Sequence, residues 1–195
     1  MSLKNSLKGI DISHHNKYQF AQKQIDFSKY DFIMMKATEG RTFVDPMCKT
    51  YMDEIIRLEK RYGFYHFARP TRNSAIDEAK HFCDTIGVDG IGAMLALDWE
   101  AEAINCDIQW AVDWLNYVEK RYHKKPLFYC SSFYTKKIKP ILDNNNGLWV
   151  AHYTKADKPK VYTYPFYAMW QYTSTPYDKD VFNGSKATWD KYVYN

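Results

Sequence analysis

Cysteine is scarce and widely spaced: Cys48, Cys83, Cys106 and Cys130 are the four in 195 residues. No two form the C-x-x-C pairs that structural zinc sites and thioredoxin-like redox centres use, so no metal centre is expected. Free thiols are favoured over disulfides, because Cys83 falls on the apolar face of a predicted helix and Cys130 in a predicted strand. The chain also lacks an apolar run of about 18 residues, which speaks against a membrane-spanning helix. Residues 1–8, MSLKNSLK, have no apolar signal core and read as a leader or disordered N-terminus. Basic residues are spread out rather than clustered, and 27 Lys+Arg against 23 Asp+Glu leave a net charge of only +4. Nucleic acid is therefore not the expected partner. There is no G-x-S-x-G nucleophile elbow, no phosphate-binding glycine loop, no internal repeat and no linker.

What is present is a folding composition, with 46% hydrophobic and 17% aromatic residues. It suits a single domain over residues 9–195 with a core large enough to need no metal or disulfide. Short apolar or alternating runs predict strands at Gly9–Ser13, Phe32–Thr38, Tyr62–Ala68, Ala93–Glu100, Pro126–Ser131, Leu148–Tyr153 and Phe166–Thr173. Helical patterns lie between them at Pro46–Lys60, Ser74–Ile86 and Asp107–Tyr122, the last behind an aspartate suited to cap its first turn. Strands joined by long crossovers run parallel, so this is an α/β chain. Seven strands in fewer than 200 residues predict an abbreviated β/α (TIM-like) barrel. An open doubly wound sheet is the alternative. Thr154–Pro165 shows no helical pattern, so the late strands are expected to be joined by loops and to pair partly antiparallel.

In such barrels chemistry gathers at the C-terminal strand ends. In Gly9-Ile10-Asp11-Ile12-Ser13, alternation sends both isoleucines to the helix layer and Asp11 inward, where an unpartnered charge is costly. In Leu97-Asp98-Trp99-Glu100 it places Asp98 and Glu100 on one face, two residues and roughly 6.6 Å apart. At that separation each charge raises the other's proton affinity. Paired acids of divergent affinity are the apparatus of glycosidic cleavage, in which Glu100, longer and nearer the exit, is the expected general acid. D-x-E alone also fits an ion pair or a divalent-cation site. Rings expected to face the same cleft, Tyr65, Tyr129, Trp149, Tyr153, Trp170 and Tyr172, favour a carbohydrate.

The ordered set GIDIS at 9–13, KATEG at 36–40 followed by Phe43 and Asp45-Pro46, GFYHF at 63–67, LDWE at 97–100, LWVA at 148–151 and WQY at 170–172 resembles that of the Chalaropsis-type lysozymes, glycoside hydrolase family 25. The resemblance runs from about Lys8 to Ser185. It implies that the barrel is irregular, with fewer helices than strands. It also implies a muramidase that hydrolyses the β-1,4 bond between N-acetylmuramic acid and N-acetylglucosamine of bacterial cell-wall peptidoglycan, without metal or organic cofactor. Carried over, the proton donor falls on Glu100 and its partner on Asp98. The first-strand aspartate falls on Asp11, and the C-terminal one on Asp178, with Asp180 as the other match. Tyr65 takes the place of the family's site tyrosine, and Glu39, Tyr129, Trp149, Tyr153 and Trp170 are cleft candidates. Only Thr173–Tyr177 separates WQY from that last aspartate, a shorter loop than the family usually carries. The resemblance implies a monomer acting outside the cell or in the cell envelope, with a phage lysin as one source. It favours participation of the substrate's 2-acetamido group over direct attack by Asp98 or inversion. A non-catalytic wall-binding barrel and a hydrolase of chitin or a similar polymer are the rival readings.

Overall fold

The computed structural model describes residues 6–194. Eight strands form a closed barrel in the order β1 (Leu7–Ile12), β2 (Phe32–Glu39), β4 (Arg61–Phe67), β5 (Met94–Asp98), β6 (Leu127–Ser131), β7 (Leu148–Ala151), β8 (Met169–Thr173) and β9 (Lys179–Phe182), which pairs back to β1. A two-residue strand, β3 (Phe43–Val44), is appended to β2 as an antiparallel hairpin. The β1–β2 through β7–β8 pairings of the wall are parallel, and β9 alone runs antiparallel to both its neighbours. Closure excludes the open doubly wound sheet. β1 begins at Leu7, which pairs with Phe182, so Leu7 and Lys8 belong to the wall. Residues 1–5 of the expected leader lie outside the described residues.

Six helices accompany these strands: α1 (Lys17–Ala21), α2 (Cys48–Arg57), α3 (Ala75–Ile86), α4 (Ile108–Tyr122), α5 (Lys139–Asp143) and α6 (Lys186–Tyr194). Asp107 caps α4 by accepting from the Gln109 amide at 3.0 Å, and Ser74 does the same for α3 through Asp77 at 3.1 Å. No regular element fills the long β7–β8 connection, residues 152–168, which leaves those strands parallel but joined by a loop.

Alternation divides the core in two. Outward residues such as Ile10, Ile12, Leu95, Leu97 and Phe128 pack under Tyr51 and Ile55 of α2, Phe82 of α3, and Trp114 and Leu115 of α4. Inward residues Phe32, Met34, Met94, Ala96, Leu127, Met169 and Phe182 fill the barrel, and Trp189 and Val193 of α6 close its lower end. The plug forces chemistry to the opposite end. All four cysteines are free, with Cys83 and Cys130 buried in the outer layer, where burial pushes the Cys83 thiol up to about 12. No described helix is long and apolar enough to cross a membrane.

The inner layer is crowded where strands approach closely. A Cβ on Gly63 would meet the Met94 carbonyl oxygen at 2.6 Å and collide with the Met34 sulfur. Gly63→Ala is therefore expected to lower unfolding stability by about 1–3 kcal/mol in urea titrations.

Candidate active site

Four parallel strands end in polar residues around one hollow of about 300 Å³ at the upper end of the barrel. Asp11 comes from β1, Lys36 from β2, Asp98 and Glu100 from the end of β5, Gln171 from β8, and Asp178 from the turn into β9. Tyr65, Tyr129, Trp149 and Tyr153 complete the wall. Alternation places Asp98 below and Glu100 above on the same face: Asp98 is 7% exposed, whereas Glu100 stands open to solvent at the mouth.

Burial and crowding of like charge raise the proton affinity of these acids above the ordinary carboxylate range. Burial first, then the Glu100 and Asp11 charges, push Asp98 well above the ordinary carboxylate range. Glu100 is raised by burial and by Asp178, against the pull of Lys36 and Arg69. Asp11 is raised to about 7 by burial and by Asp178, although Gln171 Nε2 donates to its Oδ2 at 2.8 Å. Burial raises Asp178 as well. One oxygen of Asp98, Oδ1, is buried without a hydrogen-bond partner among the described residues.

The sign of the Asp11 shift sets a stability test. Between its unfolded value near 3.8 and its folded value of about 7 the native state holds more protons than the unfolded chain, so stability falls as pH rises through that window. Asp11→Asn keeps an acceptor for Gln171 and removes the charge. Its melting temperature is expected to exceed that of the unsubstituted chain by about 5 °C at pH 8, with the gap closing by pH 4. Calorimetry across that pH range checks it.

The two C-terminal aspartates are sorted by depth. Asp178 lines the hollow, while Asp180 lies fully buried within β9, opposite Gly9 and Gln171, and accepts from Trp149 Nε1 at 2.8 Å. Burial and the neighbouring Asp11 push Asp180 well above its usual range, while that indole bond opposes them. Trp149 is thus fastened from below, with Tyr129 edge-on at 4.9 Å and Tyr65 at 6.2 Å between ring centroids.

Three expected cleft residues, Trp170, Tyr172 and Glu39, sit elsewhere. Trp170 faces the outer layer, where its indole N–H donates to the His152 carbonyl at 2.8 Å, and Tyr172 packs beside it at 5.9 Å. The inward position of β8 belongs to Gln171, whose Oε1 accepts from Tyr129 at 3.0 Å and Tyr153 at 2.7 Å. A strand that must satisfy a buried aspartate and two phenols places its amide inside and its rings outside. Glu39 lines a neighbouring cleft rather than the hollow, bonded to Lys36 Nζ at 2.5 Å and to Arg69 Nη2 at 2.6 Å. Although burial works against it, these two cations hold Glu39 below the usual carboxylate range.

Gln171 and Lys36 were missed by the sequence reading. Alternation from Phe32 through Met34 points Lys36 inward, and a lone amide between two aromatic residues marks Gln171. His14 reaches Asp45 through Nδ1 at 2.7 Å, while His66 lies in the outer layer between Thr38 and Glu78. Among the described residues, no three His, Cys, Asp or Glu side chains are arranged to hold a metal ion.

A family model described as Glycosyl hydrolases family 25 matches residues 10–181. The autolytic lysozyme of Clostridium acetobutylicum is 29% identical over 169 residues, covering 80% of this chain and 47% of that protein. The lysozyme of Streptococcus phage Cp-1 is 26% identical over 193 residues, covering 88% and 52%. The chain thus spans about half the length of these two relatives. Among solved structures, a family GH25 lysozyme from Aspergillus fumigatus superposes with a TM-score of 0.81 at 23% identity, covering 97% of this chain and all of that one, a likeness of fold.

Proposed function

The chain belongs to glycosyl hydrolase family 25, and from that membership we propose that it is a muramidase hydrolysing the β-1,4 bond between N-acetylmuramic acid and N-acetylglucosamine of bacterial peptidoglycan. The observation that carries the reading is the pairing of Asp98 and Glu100 in the ring-walled hollow, the outer acid open to solvent and both with raised proton affinity. A wall-binding module has no use for two mutually repelling acids at the mouth of a barrel.

Glu100 gives its proton to the glycosidic oxygen as the bond from the anomeric carbon breaks and its electron pair passes to that oxygen. The acetamido carbonyl oxygen attacks the anomeric carbon and forms an oxazolinium ring, whose N–H is held by the Asp98 carboxylate. Water then attacks the same carbon, gives its proton to the Glu100 carboxylate and opens the ring. Asp11 and Asp178 orient water and polar substrate groups, while Tyr65, Tyr129, Trp149 and Tyr153 pack against the sugars. The catalytic unit is a single barrel domain acting as a monomer, a reading supported by the hollow being lined from one chain. Its place of action is the bacterial envelope, reached from the cell or from a phage.

Purified protein is expected to release reducing ends from peptidoglycan and to leave chitooligosaccharides intact. Preference for chitooligosaccharide would reassign the substrate, and binding to wall without release would reduce the protein to a lectin-like module.

A further inference from the structure

A second cleft of about 510 Å³ opens beside the acidic hollow, and the two share His15 as a common wall. Its sides are the β2–β3 turn, with Arg41 and Phe43, and the β4–α3 loop, with Arg69 and Arg72. Charge reverses across the boundary: the hollow gathers Asp11, Asp98, Glu100 and Asp178 around Lys36, whereas the cleft gathers three guanidinium groups around Glu39.

Those guanidinium groups differ in preparation. Arg69 is fixed between Glu39 and Glu102, at 2.6 and 2.8 Å, and stacks 4.6 Å from the centre of the Phe67 ring. Its loop is tied down where the Arg69 amide donates to buried Glu78 at 3.0 Å and Asn73 Nδ2 donates to the same carboxylate at 2.7 Å. The opposite wall is tied by His81 Nε2 to the Phe43 carbonyl at 3.0 Å. Arg41 and Arg72 are exposed and in no ion pair among the described residues. Two unpaired forks on rigid walls make a carboxylate receptor, since a guanidinium meets a carboxylate in bidentate fashion.

We infer that this cleft binds the carboxylates of the peptide stem carried by the muramic acid at the scissile bond. The inference rests on the muramidase reading and adds the part of the substrate that the hollow does not address. Peptidoglycan joins an uncharged sugar backbone to acidic stems at fixed intervals, and the surface repeats that division: acids for protonating the glycosidic bond, and arginines one wall away for the stem. The cleft thereby selects stem-bearing glycan over bare glycan.

The test compares Arg41→Gln/Arg72→Gln with the unsubstituted protein on intact peptidoglycan and on glycan strands stripped of stems by an amidase, with the lactyl carboxylates that the amidase exposes then capped as neutral methylamides. On intact wall, kcat/KM is expected to fall about tenfold through KM with kcat held, and on stripped strands the two proteins are expected to match. Equal loss on both substrates, or no loss on intact wall, overturns the inference. Binding is read independently by NMR of arginine Nε–Hε signals during titration with a free stem tetrapeptide, its fully amidated form and inorganic phosphate. Shifts with the free peptide alone support the site. Shifts with neither peptide, or only with phosphate, overturn it. Failure of the unsubstituted protein to cleave either substrate overturns the muramidase reading instead, and the titration still decides the cleft.

Discussion

Glu100→Gln is expected to lower the rate of peptidoglycan hydrolysis by about 10³-fold while the protein still sediments with cell wall. The amide matches the carboxyl in shape and carries no proton to give, so the change removes general acid catalysis, worth about 10²–10⁴-fold, and little else. Glu100 lies at the open mouth, in no ion pair among the described residues, so folding should survive. The same residue sets the alkaline limb of the pH profile. Burial and the Asp178 charge raise its proton affinity, so the donor persists above the ordinary carboxylate range and is lost as pH climbs further. Asp178→Asn removes that opposing charge and should move the limb to lower pH. Hydrolysis by Glu100→Gln at the unsubstituted rate would assign the proton to another group.

Asp98→Asn carries the second large expected effect, about 10²- to 10³-fold in kcat with a much smaller change in KM. An ionised Asp98 compensates the positive charge of the oxazolinium ring, whereas asparagine offers only a neutral oxygen, so the loss falls on the transition state. The substitution also separates the two routes open to Asp98. If its carboxylate attacked the anomeric carbon, azide would restore turnover and leave a glycosyl azide of inverted configuration. With the acetamido group as nucleophile, azide restores nothing. Because burial and two neighbouring acids make an ionised Asp98 costly, Asp98→Asn should also melt higher once pH rises above the ordinary carboxylate range.

The acid pair could be read from sequence because β5 obeys strict alternation: Leu95, Leu97 and Trp99 turn to the helices, and Ala96, Asp98 and Glu100 turn inward. Asp11 was legible in β1 for the same reason. β8 was misread because two large rings flank one amide, and ring size suggested the wrong inside face. The hydrogen bonds among Gln171, Asp11, Tyr129 and Tyr153 decide the matter, and they join residues up to 160 positions apart. Strand β9 and helix α6 were not anticipated. Four residues carry too little periodicity, and α6 is recognisable as a plug only once Trp189 meets Phe32 and Phe182. The basic cleft was equally hidden, since its arginines come from two separate loops that only barrel closure brings together.

Mass spectrometry of borohydride-reduced digestion products tests the central assignment most directly. Fragments ending in N-acetylmuramitol are expected from the unsubstituted protein and none above background from Glu100→Gln. Fragments ending in N-acetylglucosaminitol, or an undiminished muramitol yield from the glutamine variant, would contradict it.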